Sequence, residues 1–152
     1  MRLLIQRVSH ASVAVDKKIV GQIGRGLLVL CGFKKGDIKT NLGKIAEKCL
    51  NLRIFEDDQD KMNLSLLDIS GEILVVSQFT LYANCRKGRR PGFDNSMPPD
   101  AAEKMYEQLI TEFQTTRLKV KSGIFGAKMD IALNNDGPVT IMLDDDELYQ
   151  LK

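Results

Sequence analysis

The sequence predicts an α+β fold built mainly of antiparallel β-sheets, with two principal helices in a single compact domain. Several short segments alternate apolar and polar residues with a period of two, as half-buried strands do. Two longer segments place apolar residues at helical spacing. About seven strands follow one another in a hairpin-like order without a repeated βαβ unit, which favours antiparallel pairing.

The first three strands are predicted from the opening third of the chain. Residues 2–15, "RLLIQRVSHASVAV", alternate and are rich in β-branched side chains. Asp16, Lys17 and Lys18 form a turn, after which 19–23 return as the second strand of a hairpin. Residues 26–33, "GLLVLCGF", form a continuous apolar run that predicts a strand buried on both faces.

The first helix is predicted over residues 38–51, with Asp37 as its N-cap. A short strand, "LRIFED", follows at 52–57. Residues 72–83, "EILVVSQFTLYA", predict another buried strand that continues through a group of polar side chains.

The second helix is predicted to start at Pro98-Pro99-Asp100, since proline is favoured in the first turn. Its apolar face carries Met105, Leu109 and Phe113 among others. The last strands are predicted from "LKVKSGIFG", "KMDIALNN" and "GPVTIML".

Composition narrows the class of protein. A chain of 152 residues fits one domain spanning 1–152, and its 43% hydrophobic and 28% charged residues are ordinary for a globular protein. We expect a cytoplasmic protein without membrane association, since no apolar run approaches ~20 residues and the start lacks a signal-peptide pattern. The three widely spaced cysteines and the single histidine, His10, do not predict a metal site.

A basic cluster stands out against the net charge of +2. It comprises Arg86, Lys87, Arg89 and Arg90 in "NCRKGRRPGF". Such a loop can contact phosphates without making the whole protein basic, and a solvated loop is the alternative.

Three polar residues, Ser77, Gln78 and Thr80, surround Phe79 at the end of the predicted strand 72–83. Backbone N–H groups at a strand end are free to face a ligand oxygen. A hydroxyl nucleophile needs a base, and no such residue is adjacent in sequence. The pattern therefore favours hydrogen bonding and positioning, with an ordinary capped strand end as the alternative.

A second unusual feature is the dipeptide Gly137-Pro138 before the last strand. Glycine allows close approach to a ligand, and proline fixes φ and lacks an N–H. Together they can present two carbonyl oxygens rigidly to a small group and discriminate by sterics at an α-carbon. A plain trans turn is the alternative.

Over nearly its full length the chain resembles the D-aminoacyl-tRNA deacylase family. The resemblance is carried by "MRLLIQRV", "GLLVL", "NLRIFED", "KMNLS", "VVSQFTLYA", "KGRRPGF" and "NDGPVTI". The family's "SQFTL" and "NxGPVT" motifs are both present without substitution, in the expected order.

The resemblance implies a homodimeric esterase that cleaves D-aminoacyl-tRNA and glycyl-tRNA, without a metal or organic cofactor. It implies that the Gly137–Pro138 peptide is cis and enters the partner subunit's pocket, where main-chain oxygens exclude an L side chain. Ser77, Gln78, Phe79 and Thr80 would line the scissile ester at the 3′ acceptor end. The supporting residues would be Arg7, Asn135, Val139 and Thr140.

Two mechanisms stay open at this point. In one, Thr80 is a nucleophile; in the other, which the missing base favours, the ribose 2′-hydroxyl of the tRNA assists hydrolysis. The rival functions are a deacylase with a trans Gly-Pro loop that accepts small L-amino acids, and a non-enzymatic tRNA- or DNA-binding protein.

Overall fold

The computed structural model describes residues 1–149, so the last three residues of the predicted domain, 150–152, lie outside the described part. The strands and helices are β1 (Arg2–Val15), β2 (Lys18–Ile23), β3 (Gly26–Gly32), α1 (Leu42–Leu50), β4 (Phe55–Glu56), β5 (Met62–Leu64), β6 (Glu72–Ser77), α2 (Pro99–Gln114), β7 (Val120–Ser122), β8 (Asp130–Asp144) and α3 (Asp145–Tyr149). Two short 3₁₀ turns lie at Lys39–Asn41 and Phe79–Tyr82.

The long strand β1 organises the sheet. Its first half pairs antiparallel with β3, its second half with β2, and its opposite edge with β8 along nearly its whole length. Asp16 and Lys17, both with positive φ, make the tight turn of the predicted β1–β2 hairpin. The predicted α+β fold and the antiparallel pairing of this part are confirmed.

The other half of the sheet is parallel, which corrects the prediction of hairpin-like pairing. β6 pairs parallel with both β3 and β7, giving the order β8–β1–β3–β6–β7. Parallel neighbours need crossover connections, and α1 and α2 provide them between β3 and β6 and between β6 and β7. The sheet is therefore mixed, with antiparallel pairs in the majority, and it curls towards a barrel because β2 also packs against β6 and β7.

The main core lies between the sheet and the two principal helices. Leu109 and Phe113 of α2 are fully buried in one cluster with Ile45 of α1 and Val75 of β6. Truncating a buried Phe to Ala costs about 3–5 kcal/mol, so this layer holds the parallel strands in place. α2 begins with Pro99 in its first turn, as predicted.

Asp37 is not the N-cap of α1, which corrects a second prediction. The helix begins at Leu42 after the 3₁₀ turn Lys39–Asn41. Asp37 instead accepts hydrogen bonds from the Lys34 N–H at 2.8 Å and from the Met1 amino group at 2.9 Å.

Several predicted boundaries also change. The strand predicted over 72–83 ends at Ser77, and the one predicted over 52–57 is only two residues long. The strands predicted over 128–135 and 137–143 are one strand, β8, and α3 was not predicted. Among the described residues, no helix is long and apolar enough to cross a membrane.

Candidate active site

An apolar cavity of about 690 Å³ opens where β6 ends. Of the four residues that the sequence singled out here, Ser77, Gln78 and Phe79 line the cavity, whereas Thr80 does not. Side chains that the sequence did not single out complete the wall; they include Phe93, Ser96, Met97, Phe125, Met129 and Ile131. A cavity of this size with a few convergent polar groups is the usual form of a small-ligand site.

The backbone after β6 turns sharply into the 3₁₀ turn Phe79–Tyr82. The N–H of Gln78 donates to the carbonyl of Cys31 at 2.7 Å, so it is not available to a ligand. The carbonyls of Gln78 and Thr80 accept from the N–H groups of Leu81 and Ala83. Within residues 1–149, no acceptor is found for the N–H of Phe79 or of Thr80, as expected for the first donors of a 3₁₀ turn.

The side chain of Phe79 is 57% exposed, although it follows a buried strand. Its ring packs edge to face on Phe93 with centroids 5.0 Å apart. This pair forms an exposed aromatic wall of the cavity, a surface on which a planar group can stack.

Few groups in the cavity can transfer a proton. Lys35 and Asp94 line it, together with the Cys31 thiol, whose pKa burial raises far above the usual range. The hydroxyl of Thr80 accepts a hydrogen bond from the side-chain amide of Gln78. Among the described residues, no base contacts the Thr80 hydroxyl, so the geometry does not activate it as a nucleophile.

The Gly137-Pro138 dipeptide lies in a bulge of β8. Gln6 of β1 pairs with Thr140 and Val8 pairs with Asn135, so the four residues between those partners, 136–139, are not part of the ladder. The Gly137–Pro138 peptide bond is cis, and both residues are exposed.

The side chain of Asn135 holds the base of this bulge. The Asn135 amide accepts from the Val139 N–H at 2.8 Å and donates to the Val139 carbonyl at 3.2 Å, closing the base of the bulge. It also donates to the Thr140 hydroxyl at 3.1 Å. The Asn135 side chain thus satisfies the Val139 N–H and carbonyl, which have left the regular ladder.

The side chain of Arg7 also holds the bulge, and it is only 3% exposed. Its Nε donates to the Asp136 carbonyl at 2.8 Å and its Nη1 to the Ile54 carbonyl at 2.6 Å. The carboxylate oxygen Oε1 of Glu56 lies 3.6 Å from Nη2 of Arg7. A planar guanidinium with several fixed donors suits this bridging role.

The two motifs do not meet within one chain. Gly137 and Pro138 do not line the cavity, and β8 is separated from β6 by β1 and β3. The distance from β8 to β6 along the sheet is three inter-strand spacings, or about 14 Å.

The basic loop closes with a backbone bridge between Asn84 and Gly92, whose N–H and C=O groups exchange hydrogen bonds of 2.8 and 2.9 Å. All four predicted cations are exposed. Three of them, Arg86, Lys87 and Arg90, line a shallow recess of about 410 Å³, and Arg89 does not. The loop leads directly into Phe93 of the cavity wall.

The acidic carboxylates at the end of β8 are matched by cations. Asp144, Asp145 and Asp146 have carboxylate oxygens within 4.8 Å of one another. Their partners are Arg2, the Met1 amino group and Lys34, respectively. These contacts give the cluster a structural role.

Comparison with known proteins agrees with the two motifs. A family model described as D-Tyr-tRNA(Tyr) deacylase matches residues 4–144. The chain is 55% identical over 149 residues to "D-aminoacyl-tRNA deacylase" of Thermosipho africanus, covering 98% of this chain and 100% of that protein. It is 56% identical over 144 residues to the protein of the same name from Clostridium beijerinckii, covering 95% and 97%.

Solved structures agree as well. The chain is similar to a structure titled "c-Myc DNA Unwinding Element Binding Protein", with a TM-score of 0.89, 42% identity and coverage of 95% of this chain and 98% of that one. A "probable eukaryotic D-amino acid tRNA deacylase" shares the fold with a TM-score of 0.80 at 20% identity, covering 93% and 97%. The chain therefore belongs to the D-Tyr-tRNA(Tyr) deacylase family, whose members are hydrolases acting on the ester bond of D-aminoacyl-tRNA.

Proposed function

We propose that this hydrolase removes D-amino acids and glycine from tRNA, including glycine mischarged on tRNA-Ala, and spares L-aminoacyl-tRNA. The observation that carries the proposal is the exposed Gly137-Pro138 bulge, which Arg7 and Asn135 fix in place. A rigid wall of main-chain oxygens at the α-carbon excludes an L side chain by sterics. A D side chain points away from such a wall, and glycine has no Cβ to clash.

The complete site requires two copies of the chain, and we propose a homodimer with shared active sites. Neither Gly137 nor Pro138 lines the cavity that holds the Ser77–Phe79 segment of its own chain, and β1 and β3 separate β8 from β6. In a two-fold dimer each copy donates its bulge to the other's cavity. The residues 1–152 of each copy then form one deacylase domain that acts in the cytoplasm, where its aminoacyl-tRNA substrates are.

Catalysis in this proposal relies on positioning and on backbone donors. The N–H of Phe79, a residue that lines the cavity, stabilises the oxyanion that forms at the ester carbonyl. The Gln78 N–H takes no part, because it donates to the carbonyl of Cys31. The tRNA 2′-hydroxyl next to the ester assists the attack, because no base within residues 1–149 contacts the Thr80 hydroxyl.

Two substrates test this mechanism. D-tyrosyl-tRNA is expected to be hydrolysed while L-tyrosyl-tRNA is spared under the same conditions. The same D-aminoacyl-tRNA carrying a terminal 2′-deoxyadenosine is expected to be hydrolysed at least about 100-fold more slowly. Full activity on the deoxy substrate would overturn the assisted mechanism. Thr80→Ala is expected to retain a sizeable fraction of activity, and total loss of turnover with intact substrate binding would support the nucleophile instead.

The basic loop is proposed to contact phosphates of the acceptor stem. Arg86, Lys87 and Arg90 converge on one recess beside the cavity wall. Neutralising phosphates releases counterions, so the KM for aminoacyl-tRNA is expected to rise steeply with salt. Arg86→Gln combined with Arg90→Gln is expected to flatten that dependence, whereas Arg117→Gln, an exposed arginine outside the loop, leaves it unchanged. These contacts read no bases, so different tRNAs are affected alike.

Two other functions are separated by the same assays. The solved relative whose title names a DNA-unwinding-element binding protein gives specific weight to a nucleic-acid-binding role. Retention of RNA or DNA on the protein without hydrolysis of either enantiomer would favour that role. Hydrolysis of small L-aminoacyl-tRNA would favour an editing deacylase of different chirality.

A further inference from the structure

The cavity lined by Ser77, Gln78 and Phe79 also carries a positive charge. Lys35 is the only lysine or arginine among the described residues that line it, and it is exposed. We propose that Lys35 binds the 5′-phosphate of the terminal nucleotide, whose ribose carries the aminoacyl ester. The inference rests on the proposed function, and it adds a phosphate contact at the cavity itself to the acceptor-stem contacts of the basic loop.

Backbone hydrogen bonds fix Lys35 at the cavity wall. Its N–H donates to the carbonyl of Asn95 at 3.0 Å, and the N–H of Met97 donates to the carbonyl of Phe33 at 3.0 Å. Phe33 and Met97 line the cavity as well. The position of Lys35 is therefore set by pairing between two segments of the wall.

The neighbouring lysines 34 and 35 differ in their partners. The ammonium of Lys34 pairs with the carboxylate of Asp146, and Lys34 does not line the cavity. Within residues 1–149, Lys35 forms no ion pair, although Asp94 lines the same cavity. The charge of Lys35 is thus left for an anion of the substrate, and its flexible four-carbon stem lets the ammonium follow a phosphate at the cavity mouth.

The chemistry of the substrate identifies this phosphate. The ester lies on the ribose of the terminal nucleotide, so the 5′-phosphate of that nucleotide is the anion nearest to the reacting bond. Phe79, whose N–H faces the ester in the proposed mechanism, lines the same cavity as Lys35. Arg86, Lys87 and Arg90 line a separate recess, which suits phosphates further along the strand. The contact of Lys35 neutralises charge and reads no base.

Two small substrates test the contact directly, D-tyrosyl-adenosine and D-tyrosyl-adenosine 5′-monophosphate, both esterified on the ribose. At low salt the phosphate is expected to raise kcat/KM about three- to fivefold, mainly through KM, and Lys35→Gln is expected to abolish this gain. Lys35→Arg keeps the charge and is expected to keep the gain. Lys39→Gln is the matched control, since Lys39 is exposed but does not line the cavity.

The salt dependence of D-tyrosyl-tRNA hydrolysis gives a second test. Lys35→Gln is expected to lower the slope of log KM against log salt concentration by about 0.7, the value for one phosphate contact on a single strand. Arg86→Gln combined with Arg90→Gln removes two cations and is expected to lower the slope further. An unchanged slope in Lys35→Gln would contradict a phosphate contact.

The outcomes separate this inference from the proposed function. No gain from the phosphate in the unchanged protein, or a gain that persists in Lys35→Gln, would overturn the assignment. An equal loss of kcat/KM on both small substrates would also overturn it, because the charge of Lys35 would then act at the ester. Failure of the unchanged protein to hydrolyse D-tyrosyl-tRNA would instead overturn the proposed function.

Discussion

The turn at 79–82 and the bulge at 136–139 are both short irregular segments, but they are stabilised differently. The turn continues a buried parallel strand and is held mainly by backbone hydrogen bonds and by the close approach of Gly32, where a Cβ would lie 2.8 Å from the Gln78 carbonyl. The bulge leaves an antiparallel strand and is held mainly by the side chains of Arg7 and Asn135. Backbone changes should therefore damage the first segment most, and side-chain changes the second.

The largest effect is expected when the backbone donor of the turn is removed. Phe79→Pro deletes the N–H at the first position of the 3₁₀ turn, where proline fits best. Loss of one oxyanion donor lowers kcat about 100- to 1,000-fold. Single-turnover hydrolysis of D-tyrosyl-tRNA measures it. Phe79→Ala deletes the same ring but keeps the N–H, so equal losses in the two variants would show that the ring, and not the N–H, matters.

The next largest effect is expected in the bulge. Gly137 has φ +144°, and a Cβ there would lie 3.0 Å from the Arg7 guanidinium and 2.8 Å from Val139. Gly137→Ala therefore displaces the bulge, and the ratio of D- to L-tyrosyl-tRNA hydrolysis is expected to fall about tenfold or more. Gly36→Ala is the control, because φ is +90° there but no atom lies within 4 Å of the added Cβ. An unchanged ratio in the Gly137 variant would contradict the selective role of the bulge.

A smaller effect, on the free energy of unfolding, is expected when the hydrogen bonds from Arg7 to the bulge are weakened. Arg7→Lys keeps the charge but cannot bridge the carbonyls of Asp136 and Ile54, so a buried acceptor loses its partner. The free energy of unfolding is expected to fall by about 1–3 kcal/mol, measured by urea denaturation. Arg53→Lys alters an exposed arginine that is hydrogen-bonded to a single carbonyl, that of Asn63. This control is expected to lower the free energy of unfolding less. Equal losses of stability in the two variants would show that the hydrogen bonds of Arg7 contribute no more than that of an exposed arginine.

The smallest effect concerns Asp144 at the end of β8, which is paired with Arg2. Burial raises the pKa of this carboxyl, but the hydrogen bonds from Arg2 and from the Asp146 N–H outweigh it and hold the pKa below its usual value. A lowered folded pKa contributes stability above the unfolded value near pH 4, and that stability is lost as pH falls through the folded pKa. Asp144→Asn is expected to be less stable at pH 7, with the difference disappearing in acid. A constant difference down to pH 2 would contradict the ion pair.

Local patterns predicted much of the fold. The alternation in 2–15 gave β1 to within its observed bounds, and Pro98-Pro99 marked the start of α2. In β1, Arg7 is buried in phase with Leu3 and Ile5, so a charged residue on the core side was a visible sign of a special role.

The errors came from tertiary contacts that local patterns do not contain. Residues 78–83 have strand composition, but the ladder ends where Cys31 pairs with Ser77, and the chain then turns over Gly32. Parallel pairing was missed because it depends on where α1 and α2 pack. Both motifs were singled out from their residue patterns and then matched to a family. The hydrogen bond from Ser96 to the Phe79 carbonyl, in contrast, leaves no sign in the sequence of an ordinary polar loop.

Mixed dimers test the central claim, that each active site combines the turn of one subunit with the bulge of the other. One subunit carries Phe79→Pro and its partner carries Gly137→Ala, and the mixed species is purified with two different C-terminal tags. A shared site predicts one intact combination, so the mixed dimer hydrolyses D-tyrosyl-tRNA at about half the unchanged rate and spares L-tyrosyl-tRNA. If both motifs act within one chain, the only working turn lies beside the altered bulge, and cleavage of L-tyrosyl-tRNA by the mixed dimer would contradict the account.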